Sequence, residues 1–243
     1  KLSDNISHAS LMLDASLVEV ASDGPRKPGR PKGAQSAQPR ERILNAAEHL
    51  FADRGYDGAS IRDVAAQAGL QVHSIGYHFG PKESLFDAVV ERRAAIMTRL
   101  RRHALESARQ KAGAQTIPVG DLVRSYIEPF FISASHGDAG WRNYAALMGR
   151  LANSPLGTEI IARHYDATAR DYIKELARSL SGADPDDVVE GFSAMVAAML
   201  GICAATGRPE RLSGRAAPRK PEHSFETVVR FHTAGFLALA IPR

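Results

Sequence analysis

Apolar residues recur at intervals of three and four along most of this chain, and this period restricts the fold more than any other feature. After Pro39, for example, Ile43, Ala47 and Phe51 share one face of an amphipathic helix. No stretch alternates apolar and polar residues for long enough to predict a strand, and no internal repeat is present. The sequence therefore predicts an all-α protein.

Capping signals divide the chain into helices. Pro39 suits a first helical turn, Gly55 ends that helix, Ser60 with Asp63 forms a capping box, and Gly69 closes the second helix. The predicted helices span 39–55, 60–69, 72–78, 82–112, 119–134, 141–153, 156–181, 186–206 and 224–240, with a basic loop over 207–221. In the long helix, one apolar stripe is predicted to contain Phe86, Val89, Val90, Ala94, Met97, Leu100 and Ala104.

Composition and motifs exclude several classes of protein. The 243 residues are 44% hydrophobic and 24% charged, unlike disordered, collagen-like or disulfide-stapled chains. The longest apolar run, 195–205, is shorter than the ~20 residues of a membrane span, and no secretory signal pattern is present near residue 1. The lone cysteine, Cys203, suits a reducing compartment. We expect a soluble cytoplasmic protein.

Motifs for catalysis are absent from the sequence. There is no Walker loop, no Gly-x-Ser-x-Gly, no His-Glu-x-x-His and no Cys/His cluster for zinc, and Cys203 lies in an apolar helix where a thiol is inert. We therefore expect no enzymatic activity, no metal and no cofactor.

Positive charge is concentrated near the N-terminus. Between residues 25 and 42 there are six Lys/Arg and one acid, whereas the whole chain has a net charge of +4. Such a block indicates either a phosphate-seeking arm or a solvated tail. The string RKPGRPKG at 26–33 resembles an AT-hook, in which Arg30 and Lys32 would enter a narrow A·T minor groove; a solvated linker is the alternative.

The segment 39–85 has the spacing of a helix-turn-helix. Its second and third predicted helices are short and are joined by the tight turn Ala68-Gly69-Leu70, which would leave the third helix free to enter a major groove. An ordinary helical corner has the same spacing, so spacing alone leaves both interpretations open.

A longer set of motifs decides between them. RILNAA at 42–47, LFADRGY at 50–56, SIRDVA at 60–65, AG at 68–69, YHF at 77–79 and KESLF at 82–86 resemble the TetR family of bacterial transcriptional regulators. Residues 1–38 have no core-forming period and are expected to be a flexible basic arm. The resemblance implies a DNA-binding domain over 39–99, followed by a helical domain for effector binding and dimerisation over 100–243. Its partners would be double-stranded operator DNA, a second copy of the chain and a small molecule.

Candidate DNA contacts follow from this alignment. The small domain's core is expected to hold Ile43, Ala47, Phe51, Val64, Ala65, Leu70, Ile75 and Phe79. Ser60 and Arg62 would hold phosphate at a helix N-terminus, and Lys82 resembles the family's phosphate-contacting lysine. Base edges and neighbouring phosphates would be contacted by Gln71, Val72, His73, Ser74, Tyr77 and His78. The two histidines have alternatives, a surface role for His73 and a packing role for His78.

Two positions depart from the family pattern. Gly76 stands where an aromatic residue that touches phosphate is most often found, so Tyr77 would have to supply that contact. Gln71 replaces the commoner small hydroxyl residue at the start of the recognition helix. These departures prevent a base-by-base transfer of the family's specificity.

The C-terminal helices carry two further sets of candidates. Helices that are apolar nearly all round need more cover than a monomer gives, and the resemblance implies a four-helix bundle between two copies. The interface candidates are Val188, Phe192, Met195, Val196, Phe225, Val229, His232 and Phe236. The effector candidates, at least half of which could be plain core, are Tyr126, Phe130, Phe131, Trp141, Tyr144, Met148, Leu151, His164, Tyr165 and Met199. Their scarcity of charge favours a hydrophobic effector over a polyanionic one.

We therefore expect a homodimeric repressor that a small molecule releases from a palindromic operator. One alternative is an architectural DNA-binding protein without an effector, which a collapsed C-terminal core would favour. The other is a helical enzyme or a carrier of hydrophobic ligands that has lost DNA binding, which only Gly76 favours.

Overall fold

The computed structural model describes residues 38–152, 154–216 and 219–241. Within these ranges the regular elements are all helices, which confirms the predicted class. They are α1 (Pro39–Gly58), α2 (Ile61–Ala68), α3 (Val72–Phe79), α4 (Lys82–Ala112), α5 (Val119–His136), α6 (Ala139–Leu151), α7 (Pro155–Ser179), α8 (Pro185–Cys203), α9 (Arg208–Leu212) and α10 (Glu222–Leu239). Arg30 and Lys32 of the expected arm lie outside the described residues.

Local sequence signals account for the helix boundaries. Gly55, with φ 75°, interrupts α1 at the predicted position, although helical geometry resumes as far as Gly58. Ser60 and Asp63 form the predicted capping box of α2, with each side chain bonded to the other's backbone N–H. One prediction was wrong: the loop 207–221 contains the short helix α9, which begins with a proline in its first turn.

The first three helices pack around a small core together with the start of α4. Six of the eight predicted core residues are buried, and Leu70 and Phe79 are half-buried at its edge. Phe51 of α1 meets Phe86 of α4 edge to face, with ring centroids 4.8 Å apart. The long helix α4 therefore belongs to this core at one end and leaves it at the other.

The rest of α4 packs mainly against α5 and α7. The buried stripe of α4 continues from Met97 to Arg101 and Leu105, whereas the predicted Leu100 and Ala104 are only half-buried. Successive steps of four residues from Met97 place Arg101 on the covered face, since α5 and α7 both pack against it. Among the described helices, none is both long and apolar enough to cross a membrane.

Candidate nucleic-acid interface and internal cavity

The turn between α2 and α3 is held by the first helix. Gly69 adopts φ 62°, and Arg42 of α1 donates from Nη2 to the backbone oxygens of Ala68 and, at 3.1 Å, of Gly69. A Cβ added at Gly69 would lie 2.8 Å from that nitrogen, so the left-handed turn and the arginine cap depend on each other. This arrangement ties α1 to the turn between the two short helices.

Helix α3 buries one side chain fully and exposes most of the others. Ile75 is buried and Ser74 half-buried, while Tyr77 is 86% and Val72 47% exposed. Gln71, His73 and His78 are also exposed, so the expected base-contacting residues share an accessible helix. The rings of Tyr77 and His78 lie edge to face with centroids 5.2 Å apart.

Gly76 sits in the middle of this surface. A Cβ built there would have no heavy atom within 4 Å, so a side chain would fit. Packing therefore does not require a glycine at this position. Its effect is that the surface of α3 has no side chain between Ile75 and Tyr77.

The N-terminus of α2 is organised by its own side chains. The Ser60 hydroxyl accepts from the Asp63 N–H at 3.1 Å and donates to Asp63 Oδ2 at 2.7 Å. The hydrogen bonds that the Ser60 hydroxyl and the Ser60 backbone N–H donate to Asp63 Oδ2 lower the pKa of Asp63. Ser60 is thus already engaged as a cap, and the exposed Arg62 beside it is the stronger candidate for a phosphate contact.

Lys82 is positioned by an aromatic ring. Its Nζ lies 4.3 Å from the ring centroid of Tyr56, and the Tyr56 hydroxyl donates to Glu83 Oε1 at 2.8 Å. Burial and the Glu83 carboxylate together raise the pKa of Tyr56 to about 12. The lysine ammonium is therefore held at the first turn of α4, over the Tyr56 ring.

A buried ion-pair cluster joins the first helix, α1, to α4. Glu48 is 2% exposed, and its carboxylate lies 3.0 Å from Arg93 Nε and 2.9 Å from Arg92 Nη2 of α4. Arg93 also pairs with Asp138, at 3.3 Å, before α6. Burial by itself lowers the pKa of Arg93, but its hydrogen bonds with Glu48 and the charge of Glu48 raise it overall. A Cβ at Gly140 would collide with Arg93 and Glu48, which explains a glycine there.

A cavity of about 810 Å³ lies between α4, α5, α6, α7 and α8. Its volume falls in the range of small-molecule sites. The walls are mostly apolar and include Phe130, Met148, Ile161, Ile173, Phe192 and Val196.

Of the ten effector candidates, five line this cavity, namely Tyr126, Phe130, Met148, Tyr165 and Met199. Among the described residues, the other five lie behind its walls or away from it. The hydroxyl of Tyr144 is hydrogen-bonded to that of Tyr165, and the Phe131 ring packs on Phe225. The Trp141 ring stacks with the Arg93 guanidinium, and Leu151 is buried. His164 Nε2 lies 3.0 Å from Asp87 Oδ1. Burial raises the pKa of both paired tyrosines.

The sequence analysis missed Arg101, a charged residue in the cavity wall. Arg101 is 2% exposed and lines the cavity. Its Nε donates to the Tyr126 backbone oxygen at 2.9 Å and its Nη2 approaches Met199 Sδ at 3.5 Å. The guanidinium carbon lies 3.8 Å from the Tyr126 ring centroid. The helical spacing of Val90, Ala94, Met97 and Arg101 was the available signal.

Most of the interface candidates are buried in the single chain. Six of them, Val188, Phe192, Met195, Phe225, Val229 and Phe236, are buried within a single chain, and Val196 and His232 are half-buried. These apolar side chains pack inside the protomer because α8 and α10 contact each other and α5. The exposed faces of the same helices carry small and apolar residues instead: Val189, Ala194, Ala197, Gly201, Phe231, Ala234, Gly235, Leu237 and Ala238.

Helices α2 and α3 form a helix-turn-helix unit, and the helical domain that follows it contains a cavity. Residues 43–89 match the family described as "Bacterial regulatory proteins, tetR family", and residues 124–235 match the "Tetracyclin repressor-like, C-terminal domain". The chain therefore belongs to the TetR family. Members of this family are transcriptional regulators rather than enzymes.

Curated relatives match mainly over the first domain. The transcriptional repressor AcnR of Corynebacterium glutamicum is 38% identical over 65 residues, which are 27% of this chain and 35% of the relative. The transcriptional activator FasR of Mycolicibacterium smegmatis is 30% identical over 103 residues, 42% of this chain and 43% of the relative. The chain thus spans 35% of the first of these relatives and 43% of the second.

Solved structures extend the likeness in fold over both domains. The ketosteroid transcriptional regulator KstR2 of Mycobacterium tuberculosis superposes with a TM-score of 0.58 at 19% identity, covering 83% of this chain and 96% of that one.

Proposed function

We propose that this chain is a homodimeric transcriptional repressor that a small, mainly hydrophobic effector releases from a palindromic operator. The observation that carries the proposal is the combination of an outward-facing α3 with a cavity of about 810 Å³ in the same protein. The domains would be the arm over 1–38, the DNA-binding domain over 39–99 and the effector and dimer domain over 100–243.

Dimerisation would use the exposed faces of α8 and α10. Phe231 is 73% and Leu237 51% exposed, and alanines and glycines beside them allow two helices to approach closely. Val189 and Gly201 lie on the exposed face of α8 and also line the cavity. A second copy on this face would therefore cover one side of the cavity.

Two helices connect the cavity with the DNA-binding domain. Helix α4 carries Arg101 in the cavity and the Glu48-bound arginines nearer its start. Helix α6 carries Met148 in the cavity wall, and Arg150 on the same helix donates to the Asp53 backbone oxygen at 2.8 Å. An effector that moves either helix would change the separation of the two copies of α3. The affinity for the operator would then fall, since both half-sites must be bound together.

The cavity also bears on the alternatives. An architectural protein without an effector would be expected to have a collapsed C-terminal core, and a volume of about 810 Å³ counts against it. A carrier that has lost DNA binding is disfavoured by the exposed Arg62, the positioned Lys82 and the exposed side chains of α3. Activation instead of repression would use the same contacts, and a reporter under the bound promoter distinguishes the two.

The test is a fluorescence-anisotropy titration at physiological salt, comparing DNA from upstream of the protein's own gene with scrambled DNA. Binding to the upstream DNA should be at least about 1,000-fold tighter than to the scrambled DNA. Equally weak binding to both would contradict the proposal for that operator. Light scattering on the complex measures the copy number, which should be two per palindrome.

A further inference from the structure

The strongest unexplained feature of the cavity is a buried cation without a carboxylate partner. The Arg101 side chain is a guanidinium with five N–H donors. Among the described residues, its polar contacts are the Tyr126 carbonyl and the Met199 thioether sulfur, and no acidic side chain pairs with it. A buried charge without a counter-charge is costly, because one carbonyl and one thioether replace only part of the water that the guanidinium gives up.

The other charges around the cavity do not neutralise Arg101. The lining includes Arg170, Lys174 and a single acid among the described residues, Asp166. Asp166 Oδ2 is already paired with Arg170 Nη2 at 2.9 Å, near the surface. The cavity therefore has an excess of positive charge, with its most buried cation between the rings of Tyr126 and Tyr165.

We propose that the effector is an amphiphile with one carboxylate, held by a fork of N–H donors from Arg101, and an apolar body along the cavity walls. A planar guanidinium matches a carboxylate with two parallel hydrogen bonds, which are stronger in a dry site than in water. The apolar walls and the volume of about 810 Å³ would take the body of such a molecule. This inference rests on the proposed function, because it names the chemical class of the ligand for the same cavity.

The experiment is calorimetric titration of the full chain with two acids and their neutral analogues. Dodecanoate is compared with 1-dodecanol, and 2-naphthoate with 2-naphthalenemethanol. For at least one of the two bodies, the acid should bind about tenfold or more tightly than its alcohol, the gain expected from a charge-assisted hydrogen bond in a dry site. Alcohols that bind as tightly as both acids, or acids that do not bind at all, would overturn the inference.

Three variants assign the preference to one side chain. In Arg101→Met the preference for the acid should vanish, whereas Arg101→Lys should keep part of it, since a cation without the planar fork remains. Arg102→Met is the matched control, because Arg102 is the next residue on the same helix and is exposed. The ligand-free Arg101→Met protein should have an unchanged or higher Tm, because it loses an unpaired buried charge. A preference that survives in Arg101→Met would refute the assignment.

DNA binding separates this inference from the proposed function. If an acid binds with the expected preference but leaves operator affinity unchanged, the ligand class is supported and effector release is refuted. If only the neutral analogues release the operator, effector release is supported and the carboxylate is refuted.

Discussion

Replacing Glu48 with Gln tests whether the buried cluster stabilises the packing of α1 on α4. The substitution keeps the shape of the side chain but removes the charge that pairs with Arg92 and Arg93, at 2.9 and 3.0 Å. Loss of one partner from a buried ion pair costs about 3–5 kcal/mol. Asp138 is 67% and Glu41 48% exposed, so they compensate the stranded arginines only partly.

We expect the lower end of that range, about 3 kcal/mol, which is roughly a 100-fold change in the unfolding equilibrium. The Tm should fall by about 6–12 °C for a chain of this size. Urea unfolding followed by circular dichroism measures the difference, at one protein concentration because a dimer's stability depends on it. Glu106→Gln is the control, since Glu106 is 58% exposed and lies 3.8 Å from Arg109; its cost should stay below about 0.5 kcal/mol. Equal stabilities for Glu48→Gln and the control would refute the role of the cluster.

Four further outcomes are expected. Gly76→Ala should stabilise the protein by up to about 1 kcal/mol in urea unfolding, because its Cβ meets open space and alanine favours a helix; a loss of stability would contradict this. Lys82→Ala should weaken binding to all DNA and reduce the slope of log affinity against log salt by about one unit. Gln71→Ala should cost about 1–3 kcal/mol of binding free energy, mainly on the cognate operator. Equal losses on cognate and random DNA for both variants would refute this division between a phosphate contact and a base contact. Deletion of residues 1–33 should reduce affinity most on A·T-flanked sites, and an unchanged affinity there would make the segment a linker. Cys203 should resist a thiol reagent in the native protein and react on unfolding, because burial raises the pKa of its thiol; rapid native labelling would show that the core opens readily.

Local sequence determined the helices and the presentation of α3. Two signals are local in sequence: the spacing that places Ile43, Ala47 and Phe51 on one face, and the Ser60–Asp63 capping box. Both can be identified without knowing which residues are in contact across the fold. The all-α class and the exposure of Gln71, His73, Tyr77 and the other α3 residues follow from that local information, since one buried residue, Ile75, sets the orientation of a two-turn helix.

The tertiary structure decided the roles of the C-terminal residues. Helix α8 is apolar on several faces, so its sequence alone does not show that Val188, Phe192 and Met195 face the protomer's own core while Val189 faces outward. Arg101 lies in an arginine-rich stretch that looks solvated, and only the packing of α5 and α7 over α4 buries it. Periodicity shows which residues share a face, but which helix covers that face, and where the cover leaves a cavity, depends on contacts between residues far apart in the chain.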